Sequence, residues 1–320
     1  MSTSGGTRAI VAALLANLGI AVTKFIAFAF SGASSMLAEA IHSLADSINQ
    51  ILLLVGGRKS LKAADTKHPF GYGRERYVYA FVVSIILFTV GGVFALYEGY
   101  EKLLNPHPLE VWWLPMTILT ISIVLEAISL RTALAEASHA RGTASWVAFV
   151  RHAKAPELPV VILEDTAALV GLVFAFLGVG LTALTGNSVF DAVGTMLIGA
   201  LLVVVAIVLG IETKALLVGE GATAGDVEKI EMAILAGEEA EQIIHMKTLY
   251  LGPDELMVGA KLAFVSKKLL STVATDIDAI EERIRVAVPA ARVIYIEPDV
   301  ARPTKKVSTD TDAIVLKGLE

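Results

Sequence analysis

V-F-D-A-V-G-T-M-L-I-G-A-L-L-V-V-V-A-I-V-L, residues 189–209, holds a single ionisable side chain, Asp191. The hydrocarbon core of a bilayer takes about 20 predominantly apolar residues of helix, and this stretch meets that length on its own. Five more segments do the same: 10–30, 35–57, 77–99, 112–130 and 158–184. The connections between them alternate in character. Residues 31–34, 104–110 and 185–188 are short or carry no basic side chain. By contrast, 58–76 contains Arg58, Lys59, Lys62, Lys67, Arg74 and Arg76, and the loop after Leu130 contains Arg131, Arg141, Arg151 and Lys154. Basic loops stay on the cytoplasmic side, which predicts six transmembrane helices with both termini in the cytoplasm. The polar first eight residues are followed by an apolar run too long for a cleavable signal peptide.

Composition agrees with a bilayer. The chain of 320 residues is 55 % hydrophobic and 18 % charged, against about 45–50 % and 25 % for soluble domains. Residues 222–299 hold 14 acids and 8 bases, a net −6 that equals the charge of the whole chain. That imbalance predicts a transport domain over 1–221 and a separate acidic domain over 222–300. Nothing resembles the clustered Lys and Arg of a nucleic-acid surface. Cysteine is absent, so any metal must be held by imidazole and carboxylate.

The pattern after Thr223 is that of a soluble α+β unit. Residues 226–236 have helical spacing at Val227, Ile230 and Ile234, with an acidic first turn. Two strands over 243–251 and 255–265 flank a Gly-Pro-Asp turn. A second helix over 275–288 puts Ile277, Ile280, Ile284 and Val288 on one face, and 292–296 is a third strand. A domain this small has a limited core, which favours dimerisation. The polar stretch 301–320 is expected to be a mobile tail.

Ionisable residues inside spans cost about 2.5–3.5 kcal/mol each and usually face a functional interior. Span two reads A-E-A-I-H-S-L-A-D-S-I-N-Q, residues 38–50. His42 and Asp46, four apart, share one helix face, and Glu39 and Asn49 extend the same stripe. Span five carries adjacent Glu164 and Asp165 among apolar neighbours. Two such helices facing each other supply one nitrogen and several oxygens, a donor set for Zn²⁺ that also suits Mn²⁺, Fe²⁺ and Co²⁺. Interhelical hydrogen bonding is the simpler role for a lone polar residue; three acids and a histidine favour a cation site. Coordinating groups must be deprotonated, so metal binding expels protons, the simplest route to metal/proton exchange.

These stretches resemble the cation diffusion facilitator family. The resemblance rests on S-M-L-A-E-A-I-H-S-L-A-D-S-I-N-Q at 35–50, D-T-K-H-P-F-G-Y-G-R-E-R at 65–76, V-I-L-E-D-T-A-A-L-V-G at 161–171 and T-G-N-S-V-F-D-A-V-G at 185–194. E-A-I-H-S-L-A-D and L-E-D-T-A-A are similar in particular to the branch containing the vertebrate zinc transporter nine. The family implies a four-ligand site built from pairs at i and i+4 on spans two and five. Here that carries over to His42, Asp46 and Asp165. The remaining position falls on Val161, so Glu164 is the expected replacement. A second site in the loop after span two, D-x-x-H-x-x-x-H, keeps Asp65 and His68 but has Tyr72 in place of the second histidine, and is expected to be weak or absent. The family also implies a ferredoxin-like cytoplasmic domain that dimerises; with only His245, a binuclear metal site there is not expected. His107, His139 and His152 fall outside the spans and are expected to be solvated.

The resemblance implies proton-driven export of a divalent metal from the cytoplasm by a homodimer in lipid. The cargo is Zn²⁺, with Mn²⁺, Fe²⁺, Co²⁺ or Cd²⁺ as alternatives, with no permanent cofactor, no nucleic-acid partner and no enzymatic role. Two other readings compete: a membrane-anchored metal sensor or scaffold, and a proton-coupled exporter of organic cations. The second calls for an aromatic-lined pocket, yet spans two and five offer only Phe174 and Phe176.

Overall fold

The computed structural model describes residues 3–109 and 111–301, with side chains from residue 17 onward other than 139 and 140. His139 and the expected tail beyond residue 301 therefore lie outside the described side chains. The chain divides into two compact units, 1–220 with 251–254, and 221–250 with the residues from 255 on.

The first unit is helical: α1 (Thr3–Ser31), α2 (Ser34–Ser60), α3 (Glu75–Ile86), α4 (Phe94–Leu104), α5 (Trp113–Arg141), α6 (Trp146–His152), α7 (Glu157–Thr185) and α8 (Val189–Val218). A π-helical stretch, Leu87–Val93, joins α3 to α4 into one rod of 30 residues. Among the described residues four helices are long and apolar enough to cross a membrane: that rod, α5, α7 and α8. They make this a multi-pass membrane protein. α2 is as long but carries too many polar side chains to qualify by composition. The short α6 falls in what the sequence presents as a plain loop; Ser145 caps it by accepting from the Ala148 amide.

Small residues let the apolar helices approach closely, the usual way to gain dispersion contact where lipid supplies no hydrophobic drive. A Cβ on Gly178 of α7 would stand 2.9 Å from the Phe190 carbonyl of α8, and one on Gly194 of α8 would stand 2.9 Å from the Phe174 carbonyl of α7. The buried core between these helices is Leu172, Ala175, Val179, Ile198 and Leu202.

The start of α2 shows how the bundle satisfies backbone groups that water cannot reach. Its N-cap residue is Ala33, which has no side-chain oxygen to offer. Asp191 of α8 supplies the cap instead, accepting from Ser34 N (2.8 Å), Ser34 Oγ (3.1 Å), Ser35 N (3.4 Å) and Ser35 Oγ. The carboxylate also sits at the positive end of the α2 dipole. Nearby, Gly32 turns the chain at φ 63°, and its carbonyl accepts from Lys102 Nζ at 2.6 Å. Asp191→Ala strands several buried donors at once and is expected to destabilise the protein by about 3 kcal/mol. Asp191→Asn, which keeps one acceptor, should cost less. Unfolding midpoints in detergent measure both.

The second unit follows the predicted order, α9 (Ala224–Leu235), β1 (Ala240–Gly252), β2 (Glu255–Phe264), α10 (Leu270–Ala287) and β3 (Ala291–Val300). The sheet runs β1-β2-β3, with β3 parallel to β2 and Gly259 opposite Tyr295. Its core takes Ile230 and Ile234 from α9, Leu256, Val258 and Leu262 from β2, Ile280 and Ile284 from α10, and Ile294 from β3. The helical faces read from periodicity are the buried ones. α10 begins five residues earlier than its apolar spacing indicates because Leu270 and its neighbours extend the helix into solvent.

Candidate functional site

Four helices of the first unit surround a polar cavity of about 40 Å³, α1 contributing Asn17 and Ile20. By volume it holds a very few waters or one ion. α2 lines it with Ser43, Asp46 and Gln50, α5 with Glu126 and Ser129, and α7 with Val161, Glu164 and Asp165. Apart from the adjacent Glu164 and Asp165, the spacings on each helix are those of a single inward face, three, four or seven residues apart. Four carboxylates thus share one small space inside the bundle.

Asp46 and His42 are both on α2, with Asp46 Oδ1 3.5 Å from His42 Nδ1. The His42 ring is 1 % exposed, and among the described residues neither of its nitrogens has a hydrogen-bond partner, nor does Asp46 Oδ1. Buried polar atoms left unpaired are costly, and a native structure keeps them where another ligand uses the lone pairs. Asp165 accepts from Ser129 Oγ at 3.0 Å, which pins α7 to α5 beside the cavity. Glu164 accepts from Asn49 Nδ2 at 2.7 Å, which ties α7 to α2. Among the described residues no three His, Asp or Glu side chains stand close enough to grip one ion together. The carboxylates line facing walls of the cavity without converging.

The two flanking residues of the α2 stripe go elsewhere. Asn49 holds Glu164, and Glu39 pairs with Lys24 of α1 at 2.9 Å; neither lines the cavity. Lys24 Nζ also donates to Ser43 Oγ at 2.8 Å. Both members of the pair are almost wholly buried.

The loop residues Asp65 and His68 form a turn. Asp65 Oδ1 accepts from the amides of Lys67 (3.0 Å) and His68 (2.8 Å), and Oδ2 from Tyr72 Oη (2.7 Å) and Lys62 Nζ (3.2 Å). The Tyr72 hydroxyl above all, then the His68 amide and Lys62, hold the Asp65 carboxyl well below the usual carboxylate range. With four donors on its two oxygens, Asp65 is engaged in shaping the loop. His107, His152 and His245 are exposed.

The sequence from 10 to 218 matches the family model described as the cation efflux transmembrane domain. The chain belongs to the cation efflux family. This cation efflux protein is 34 % identical over 245 residues to the mitochondrial proton-coupled zinc antiporter SLC30A9 of Mus musculus, covering 75 % of this chain and 43 % of that one. It is 28 % identical over 261 residues to metal tolerance protein C4 of Arabidopsis thaliana, covering 80 % and 57 %. With the cation-efflux pump FieF of Shewanella oneidensis the identity is 35 % over 120 residues, 37 % of this chain and 39 % of the pump. The chain therefore spans about half the length, or less, of the curated relatives it matches.

Three ionisable residues of the cation efflux unit escape a reading centred on spans two and five: Lys24, Glu126 and Asp191. Each is the sole or nearly sole charge in an otherwise apolar span. The rule that singled out His42 and Asp46 applies to them equally, since an intramembrane charge without a partner is costly wherever it lies.

Proposed function

We propose that this chain exports divalent transition-metal ions, zinc foremost, in exchange for protons, and that His42, Asp46, Asp165 and Glu164 form its transport site. The observation that carries the reading is the small cavity walled by carboxylates inside apolar helices, with the unpartnered nitrogens of His42 beside Asp46. One imidazole among oxygens suits zinc and accommodates Mn²⁺, Fe²⁺, Co²⁺ and Cd²⁺. Metal and protons compete for the same lone pairs, so occupancy by one expels the other, and the proton gradient drives export. The relatives named as proton-coupled zinc antiporters support both the metal and the coupling. Access alternates by movement of the helices around a fixed central site.

In this reading α1 and α2 also cross the membrane, giving six spans, and the polarity of α2 is the consequence of its carrying the site. The basic loops at 58–76 and after Leu130 put both termini in the cytoplasm. Residues 1–221 are the transport domain. Residues 222–300 form a ferredoxin-like cytoplasmic domain through which two copies dimerise; its β2-α10-β3 crossover with parallel strands supports that assignment. No catalysed reaction is assigned.

The test is zinc uptake into proteoliposomes carrying an imposed proton gradient, with Mn²⁺ in parallel. Zinc should accumulate while the gradient persists and stop when an ionophore collapses it. Absence of flux for either metal, with binding retained, would overturn transport in favour of a membrane-anchored metal sensor.

A further inference from the structure

The transport site as read from spans two and five is one ligand short. α7 presents Val161 and Asp165 to the cavity at i and i+4, and Val161 has no donor atom. Glu164 is the nearest carboxylate on that helix, but its Oε1 is taken by the Asn49 amide and the residue is 5 % exposed. Ligation through Oε1 would break that buried hydrogen bond and strand the Asn49 donor, which leaves Glu164 at most one oxygen for an ion.

α5 offers a carboxylate that is not spoken for. Glu126 and Ser129 are three apart and so share a face of the helix. Ser129 donates to Asp165 Oδ2 at 3.0 Å, which fixes that face against α7 next to a ligand. Glu126 lines the same cavity as Asp46, Val161 and Asp165, and among the described residues nothing donates a hydrogen bond to it. A carboxylate inside a membrane without a donor is expensive unless a cation visits it. Glu126 is half-buried, and on α2 both His42 nitrogens and Asp46 Oδ1 are buried without a hydrogen bond among the described residues, with 3.5 Å between Nδ1 and Oδ1.

We propose that Glu126 supplies the metal ligand that α7 lacks at Val161, so that the ion is held between α2, α5 and α7 by His42, Asp46, Glu126 and Asp165. This rests on the transport-site reading above, but puts Glu126 in the ligand shell in place of Glu164 and so extends the site to a third helix. Four donors, one nitrogen and three carboxylates, are the number a tetrahedral zinc shell takes; since no three of them stand together among the described residues, the shell forms only as the helices close on the ion. Glu164 stays on Asn49 and orients α7 against α2. The three-helix origin has a mechanical consequence, since closing the shell draws α5 toward α2 as well as toward α7.

The test is zinc binding by the purified full chain in detergent, read by competition with a fluorescent zinc chelator, for the wild type, Asp46→Asn, Glu126→Gln and Glu126→Gln/Val161→Asp. Asp46→Asn and Glu126→Gln should each weaken binding by roughly a hundredfold, since even losses outside the ligand shell cost about 10–100-fold. The double variant returns a carboxylate to the empty i position of α7 and should regain most of the lost affinity. Wild-type affinity in Glu126→Gln, with Asp46→Asn still impaired, overturns the Glu126 assignment and leaves the site reading standing. Wild-type affinity in Asp46→Asn removes the site itself, and Glu126 with it. No recovery in the double variant overturns the claim that Glu126 fills the place of Val161. If Glu126→Gln does not elute as the wild type does on size exclusion, Glu126→Asp replaces it: a shortened carboxylate should bind zinc more weakly, and unchanged affinity overturns the assignment.

Discussion

Asp46→Ala is expected to bring gradient-driven zinc uptake down to that of protein-free vesicles, a loss of roughly a hundredfold or more. The same variant should unfold at an unchanged or slightly higher temperature. Both halves follow from one observation. Asp46 is the only carboxylate of α2 that lines the cavity, and its Oδ1 is buried with no hydrogen-bond partner among the described residues. Removing a carboxylate whose buried oxygen accepts no hydrogen bond, with His42 Nδ1 at 3.5 Å, costs the fold little, because the burial penalty of that group is removed with it. It costs the site a ligand on the helix that also carries His42. A scaffold role for Asp46 predicts the reverse, lowered stability with flux surviving in whatever protein remains folded. Flux in proteoliposomes and an unfolding scan on the same preparation separate the two.

Lys24→Met is expected to destabilise the protein by about 3–5 kcal/mol, the usual consequence of leaving one member of a buried ion pair alone. Glu39 is 0 % exposed, and Lys24 Nζ at 2.9 Å is the cation that offsets its charge. The fit around the pair is tight: a Cβ on Gly171 of α7 would lie 2.9 Å from Glu39 Oε1. Losing the ammonium leaves the buried carboxylate without its counter-charge, and Ser43 loses its donor as well. Replacing both partners by apolar side chains, Lys24→Met/Glu39→Leu, should recover most of the loss, since matched hydrophobic pairs in place of buried ion pairs are often neutral or better. Unfolding midpoints of the two single variants and the double close the cycle. A double variant as unstable as Lys24→Met would show that the pair does more than neutralise itself.

Much of the architecture could be read along the chain. Apolar runs such as 189–209 announce helices because burial in lipid is a property of each residue in turn: α7 begins and ends, and α8 begins, within a residue of their apolar limits, while α8 runs on nine residues past Leu209. The α-β-β-α-β order of the second unit followed from period-two and period-3.6 spacing, and Ile280 and Ile284 are buried as that spacing requires. The π-helical stretch Leu87–Val93 had no comparable local signal beyond Gly91-Gly92, and α6, at seven residues, was too short for periodicity to register. The stripe Glu39, His42, Asp46 and Asn49 was visible as one helix face, but its division was not: Glu39 goes to Lys24, Asn49 to Glu164, and Asp46 to the cavity.

Helix positions, span candidates and the chemical character of the site are local matters, settled by hydropathy, periodicity and side-chain type within about twenty neighbouring residues. Partner choice is different. Asp191 caps a helix 157 residues away, and Glu164 meets Asn49 across 115. Which carboxylate is neutralised by a lysine, which is held by an amide and which is left to face a cavity depends on how α1, α5, α7 and α8 pack around α2. That packing is governed by steric fits such as those at Gly171, Gly178 and Gly194, where a single methyl group would push the helices apart, and no stretch of residues read in order contains both sides of such a contact.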